Sequence, residues 1–169
     1  MIDGIEMVVK RYNMQNSAHA IRRAFKKTRA DVSWRSAHLL MQNRIKTSRP
    51  IAIFEKRYGP FRNKAFFICE HVRGEDAVHY FQNADAEDMS RTAQLITSVF
   101  SKLRSLMISH GDMKATNMIV QDGVPFLIDL DSMARHRLKT RFLHAHKKDI
   151  NRFLKNWVNY PEILKIFKG

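Results

Sequence analysis

Four polar side chains with tight spacing carry the chemistry of this sequence. Asp112, Lys114 and Asn117 lie within six residues, and Asp129 follows twelve residues later. Phosphoryl transfer asks little covalent work of a protein. It needs an oriented acceptor hydroxyl, metal ions bridging the phosphates and positive charge on the moving group. A loop carboxylate such as Asp112 can orient the hydroxyl or receive its proton. Lys114 can reach the same phosphoryl group. The side-chain carbonyl of Asn117 and the carboxylate of Asp129 are hard oxygen donors suited to Mg2+. Asp131 reads two ways, as a further metal ligand or as a turn cap. His110 reads as a packing and hydrogen-bonding residue that holds the loop, not as a reactant.

These residues need elements to bring them together. Met118 to Val120 and Pro125 to Leu130 read as two short strands, and Asp122-Gly123 between them is a hairpin signal. That hairpin returns the chain, so Asn117 and Asp129 converge. Asp88 to Ser109 reads as one amphipathic helix, apolar at Met89, Ala93, Ile96, Phe100, Leu103 and Met107. Upstream, Glu6 to Tyr12, Pro50 to Glu55 and Lys64 to Val72 read as strands, with Tyr58-Gly59-Pro60 as a turn. Ala18 to Lys27 and Asp31 to Asn43 read as helices, the second with an apolar stripe at Trp34, Ala37, Leu40 and Met41. Roughly Thr140 to Phe167 is helical and basic, and Trp34 and Trp157 read as core residues. Strands and helices come first, then helices around a hairpin. This order predicts an α+β, two-lobed architecture, not alternating βαβ units. A chain of 169 residues fits one domain, 1–169, with 1–72 forming a small lobe and hinge and 73–169 a larger lobe.

The motifs carry a family resemblance. His110-Gly111-Asp112-Met113-Lys114-Ala115-Thr116-Asn117 resembles the kinase catalytic loop H-R-D-L-K-x-x-N, with the same spacing of Asp, Lys and Asn. Ile128-Asp129-Leu130-Asp131-Ser132 resembles the metal-binding segment that follows it. Gly111 replaces an Arg and Asp131 a Gly, as in branches that phosphorylate sugars and small molecules. The segment WRSAHLLMQNRIKTSRPIAIFE and the later KKDINRFLKNW look like the lipopolysaccharide kinase family of Kdo kinase and WaaP type. The resemblance runs from about Glu6 to Trp157. It implies a protein-kinase-like fold with a truncated N-terminal β lobe and a mainly helical C-terminal lobe. It also implies ATP and Mg2+ as cofactors and a Kdo or heptose sugar of the inner core as acceptor. On that mapping Lys10, in VVKRY, binds the ATP phosphates. The hinge FFICEHVRGED holds adenine through backbone groups of Glu70 and Val72, with Cys69 at the back of the pocket. No G-x-G-x-x-G occurs, and Asp31 is the only acid in the two upstream helices that could pair with Lys10.

Charge narrows the partners. The formal net charge is +14. From Lys10 to Lys64 there are fifteen Lys and Arg against two acids; from Ala65 to Asp131, five against ten; from Ser132 onward, ten against two. Basic flanks around an acidic middle suit an anionic glycolipid, an anionic membrane surface or nucleic acid. The run Arg135 to Arg141 reads as an acceptor contact or as a solvated helix entry. The single cysteine, Cys69, allows no intrachain disulfide and fits a reducing compartment. With no spanning apolar run and no signal-like N-terminus, the expected location is cytoplasmic, peripheral to the inner membrane. The histidines show no zinc spacing. Two competing functions remain: a kinase-like binding or regulatory module, and a basic nucleic-acid-binding protein. The second lacks any recognisable reading motif.

Overall fold

The computed structural model describes residue 4 and residues 6–13, 27–58 and 61–168. Among the described residues, eight strands and five α-helices form the fold, with short 3-10 turns at Ala115–Asn117 and Leu130–Ser132. Strand β1 (Met7–Asn13) is followed by helix α1 (Arg29–Gln42), then β2 (Pro50–Tyr58) and β3 (Phe61–Glu70). Next come β4 (Glu75–Asp76), α2 (Ala77–Asn83), α3 (Ala86–Ser105), β5 (Ile108–Ser109), β6 (Met118–Gln121), β7 (Val124–Leu127) and β8 (Ala134–Arg135). Helices α4 (Lys139–Lys155) and α5 (Pro161–Lys168) close the chain. The expected helix Ala18 to Lys27 lies almost wholly outside the described residues, as do Gly59 and Pro60.

The first sheet is antiparallel, in the order β1-β3-β2. Lys10 on β1 faces Phe67 on β3 across the ladder. Side chains alternate along a strand, so Val8, Lys10 and Tyr12 share one face. Helix α1 packs on this sheet. Its N-cap Thr28 accepts from the Asp31 N–H at 3.0 Å and donates to Glu55 on β2 at 2.5 Å. The helix buries Ala30, Ser33, Ala37 and Leu40. Met41, expected on that stripe, is exposed instead, and Trp34 is only partly buried, edge-on to His38.

The second sheet, β4-β6-β7, holds the predicted hairpin. Asp122 and Gly123 both have positive φ (51° and 73°), the conformation that a two-residue hairpin loop requires. The expected helix Asp88 to Ser109 divides differently. Helix α3 starts earlier, capped by Asp85, and stops at Ser105; Met107 then turns left-handed (φ 53°) and β5 begins. Acids in its first turn (Glu87, Asp88) and cations in its last (Lys102, Arg104) suit the helix dipole. Helix α2 follows the expected hinge, in a stretch for which the sequence suggested no element. Asp76 caps it, accepting from the Val78 and His79 N–H groups.

Trp157, Phe153 and Phe81 are almost fully buried and meet edge to face, with Phe167 packed against all three. Each such side chain contributes about 1.5–3 kcal/mol on burial. The cluster joins α2, α4 and α5. It thereby fixes the face of α4 that meets the loop after β5.

Candidate active site

The loop Ser109 to Asn117 is held at three points by one helix. Asp149 on α4 is buried and accepts from two backbone donors, His110 N–H at 2.7 Å and Gly111 N–H at 3.0 Å. One helical turn on, Arg152 donates to the Gly111 carbonyl at 2.6 Å and to Asp112 Oδ1 at 2.9 Å. One further turn on, Asn156 accepts from the Ala115 N–H at 3.0 Å. The spacing 149, 152, 156 is a single helical stripe. Its pattern stands in KKDINRFLKNW, but the loop it serves lies about 40 residues upstream, so the sequence reading missed all three residues.

His110 is fully buried, and burial pushes its imidazole below the usual value, so it is neutral at pH 7. Its Nε2–H donates to the Ile128 carbonyl at 3.0 Å, which ties the loop to the segment carrying Asp129. Gly111 has φ +86°, and a Cβ there would stand 2.5 Å from the Ser132 carbonyl oxygen. Only glycine satisfies both conditions. This explains the departure from the H-R-D pattern at that position.

Asp112 is only partly exposed and both its carboxylate oxygens are engaged. Lys114 lies 3.1 Å from Oδ2 and Arg152 2.9 Å from Oδ1. Asn117 donates its amide to the Asp112 carbonyl at 2.8 Å and to Oδ2 at 3.3 Å. Burial works to raise the Asp112 carboxyl. Lys114, by hydrogen bond and charge, with Arg152 and Asn117, outweighs it and holds the group below its usual value. The carboxylate is therefore ionised near neutral pH, as a proton acceptor must be.

Asp129 follows β7 in the left-handed region (φ 60°, ψ 55°). This turn aims its carboxylate at Lys10, 3.1 Å away. Because Ile128 N–H donates to the Asn117 carbonyl at 3.0 Å, the Asn117 and Asp129 segments run side by side. The NH2 of Asn117 donates to Asp112, which leaves its Oδ1 as the oxygen able to ligate a cation. A carboxylate and an amide oxygen at the end of a hairpin suit Mg2+, which takes one or two protein oxygens and fills its shell with water and phosphate. Among the described residues, no group of three or more His, Cys, Asp or Glu is placed to hold a metal ion.

One pocket opens between the first sheet and the segment 128–130 that follows β7. Lys10, Val8, Cys69, Val72, Ile128 and Asp129 help line it. Glu70 does not; its side chain pairs with Arg49 at 2.8 Å. Strand β3 ends at Glu70, so His71 and Val72 form the connecting stretch over the pocket mouth. Burial pushes the Cys69 thiol up, away from thiolate reactivity. Asp31 does not reach Lys10: it pairs with Arg35 one turn along its own helix, at 2.8 Å. Asp131 is neither a turn cap nor open to a metal. Its buried carboxylate pairs with Arg29 at the start of α1, at 2.5 Å, and accepts from the Ser132 hydroxyl.

A small antiparallel sheet with one packed helix, joined to a helical lobe whose Asp129 segment meets Lys10 of the sheet at a pocket, is a protein-kinase-like fold. Solved structures agree. The chain is similar to WaaP in complex with acyl carrier protein, with a TM-score of 0.67 and 14% identity over 99% of this chain and 72% of that one. It is also similar to the Cydia pomonella granulovirus kinase PK-1, with a TM-score of 0.55 and 14% identity over 79% of this chain and 45% of that one. The sequence matches the Lipopolysaccharide kinase (Kdo/WaaP) family over residues 5–163, and the chain belongs to that family. No curated protein sequence matches.

Proposed function

We propose that this protein transfers the γ-phosphate of ATP to a sugar hydroxyl of the lipopolysaccharide inner core, a Kdo or heptose unit. The observation that carries the reading is the linked set of kinase-type residues: Lys10 and Asp129 meet in one pocket, and the Ile128 N–H bond to the Asn117 carbonyl ties that segment to Asn117, which with Lys114 contacts Asp112. Lys10 would bind the α/β-phosphates, and the connecting stretch at Glu70 and Val72 would hold adenine through backbone groups. Asn117 and Asp129 would hold Mg2+, which when bound neutralises phosphate charge and orients the γ-phosphoryl group. Lys114 would stabilise charge on the transferred group. Asp112 would orient and deprotonate the acceptor hydroxyl.

Charge supports the acceptor class. The exposed side chains of α4 and its approach include Arg135, Arg137, Lys139, Arg141, Lys147, Lys148 and Lys155, whereas Asp149, its one acid, is buried. This face suits an anionic glycolipid and the anionic leaflet carrying it. We therefore place the protein in the cytoplasm, at the membrane surface. Among the described residues no helix is long and apolar enough to cross a membrane. Acyl carrier protein, the partner of WaaP in its solved structure, is a candidate partner here as well.

A second reading is a kinase-like binding module. It is favoured by the engagement of Asp31 with Arg35, which leaves Lys10 without an acid from α1. Acceptor-dependent ADP release separates the two. The kinase reading expects Mg2+-dependent ADP formation that rises with added inner-core glycolipid and is lost in Lys10→Ala. Thermal stabilisation by Mg-ATP without any acceptor-dependent turnover would favour the module.

A further inference from the structure

Arg152 has no counterpart among the roles assigned so far. It approaches the loop from α4, yet its Nη1 reaches past the Gly111 carbonyl to the catalytic carboxylate itself. The loop does not need it for attachment. Asp149 and Asn156 already fix the backbone on either side of Asp112. Position 111 cannot supply a cation, because any side chain there would meet the Ser132 carbonyl. The two cations also divide the carboxylate between them, Arg152 on Oδ1 and Lys114 on Oδ2. Asn117 adds a third, longer contact on Oδ2 at 3.3 Å, so an acceptor hydroxyl there must compete with Lys114 for that oxygen.

They are not equivalent. Lys114 is a point charge on a flexible stem, about as exposed as Arg152 (49% against 46%), and it has one carboxylate contact. Arg152 is a planar group anchored twice, on a carbonyl and a carboxylate of adjacent residues. Building on the kinase reading above, we infer that Arg152 is the positioning residue of the reaction: it keeps Oδ1 while Lys114 moves to the phosphoryl group, so that Oδ2 becomes the base. The acceptor O–H proton then passes to Oδ2. The acceptor oxygen forms the new bond to the γ-phosphorus, the bond from that phosphorus to the β,γ-bridging oxygen breaks, and ADP leaves. Arg152 touches neither nucleotide nor acceptor and acts only through Asp112.

This separates Arg152 from the nucleotide pocket, which it does not line. In Arg152→Gln the expected result is a turnover lower by roughly 100-fold, the scale of a misplaced catalytic group. The KM for Mg-ATP should stay within about twofold, because the phosphate contacts at Lys10 and Asp129 are untouched. Arg152→Lys keeps the charge on a shorter stem without the planar guanidinium, and should recover part of the loss. Arg152→Ala should regain turnover when guanidinium ion is added at concentrations below those that unfold the protein. Overturning results are a turnover within about twofold of wild type in Arg152→Gln, or a loss in which KM for Mg-ATP rises in step and guanidinium rescues nothing. A wild-type protein without acceptor-dependent turnover marks failure of the kinase reading itself, whereas an active wild type with an equally active Arg152→Gln overturns this inference alone.

Discussion

Removing the carboxylate of Asp149 is the most informative structural perturbation. In Asp149→Ala two backbone donors lose their acceptor. The His110 N–H belongs to a residue with no exposed surface, so water does not replace the bond. Gly111 is exposed, and water can take over part of its bond. A hydrogen bond to a charged group contributes about 1.5–3 kcal/mol, and a buried donor left unsatisfied costs about 1–3 kcal/mol. One full loss and one partial loss give about 3 kcal/mol. For a chain of this size each kcal/mol lowers Tm by about 2–4 °C, so the expected drop is about 6–12 °C. Asp149→Asn keeps one acceptor and presents an NH2 to the other donor, so it should fall about midway. Thermal unfolding followed by circular dichroism, with urea titration at constant m, reads both variants. The loop carries Asp112, so turnover should fall further than stability requires at temperatures where the variant stays folded. A Tm for Asp149→Ala within about 2 °C of wild type would refute the claim that this residue suspends the loop.

Three further perturbations follow from the geometry. Gly111→Ala places a Cβ against the Ser132 carbonyl in a left-handed backbone, and should cost about 1–3 kcal/mol together with most of the activity, read by Tm and ADP release. Arg29→Ala strips the cation from the buried Asp131. Arg29 is mostly exposed, so the loss should fall between the ~1 kcal/mol of a surface pair and the ~3 kcal/mol of a buried one, and a double-mutant cycle with Asp131→Asn should show coupling. At the α2 cap, the Asp76 hydrogen bond, followed by its charge, raises His79 above 6.5. Burial opposes the Asp76 charge, but the His79 and cap N–H bonds hold Asp76 below 3.8. The His79 contribution is complete below its unfolded value and is lost as pH rises through the raised one. That of Asp76 is complete above its unfolded value and is lost as pH falls through the lowered one. The cap is thus fully formed between about pH 4 and 6.5. NMR titration should find His79 above 6.5 and its return toward 6.5 in Asp76→Asn.

The grouping of the candidate residues was legible because its information is local. Asp112, Lys114 and Asn117 sit in one loop, and Asp122-Gly123 announces the hairpin that brings Asp129 alongside. Lys10 was legible from its strand, and the structure sets it beside Asp129. The supports were not legible. Asp149, Arg152 and Asn156 share a helical face, but which loop that face meets depends on the Trp157 cluster, assembled from three helices. Asp131 read as a metal ligand or a turn cap because its partner Arg29 is remote in sequence and arrives only when α1 docks. The end of α3 was missed because Met107, not a glycine, takes the left-handed turn. Likewise α2 is seven residues long, and its one clear signal is the Asp76 cap.

The central claim is that Asp112 serves a phosphoryl transfer to a glycolipid sugar. The direct measurement is incorporation of label from Mg-[γ-32P]ATP into purified inner-core lipopolysaccharide, run with wild type and Asp112→Ala at matched folded concentration. The account predicts labelled acceptor with wild type, dependent on Mg2+, and none above background with Asp112→Ala, whose Tm should stay close to that of wild type. Equal labelling by the two proteins, or no labelling of any inner-core acceptor by the wild type, would contradict it.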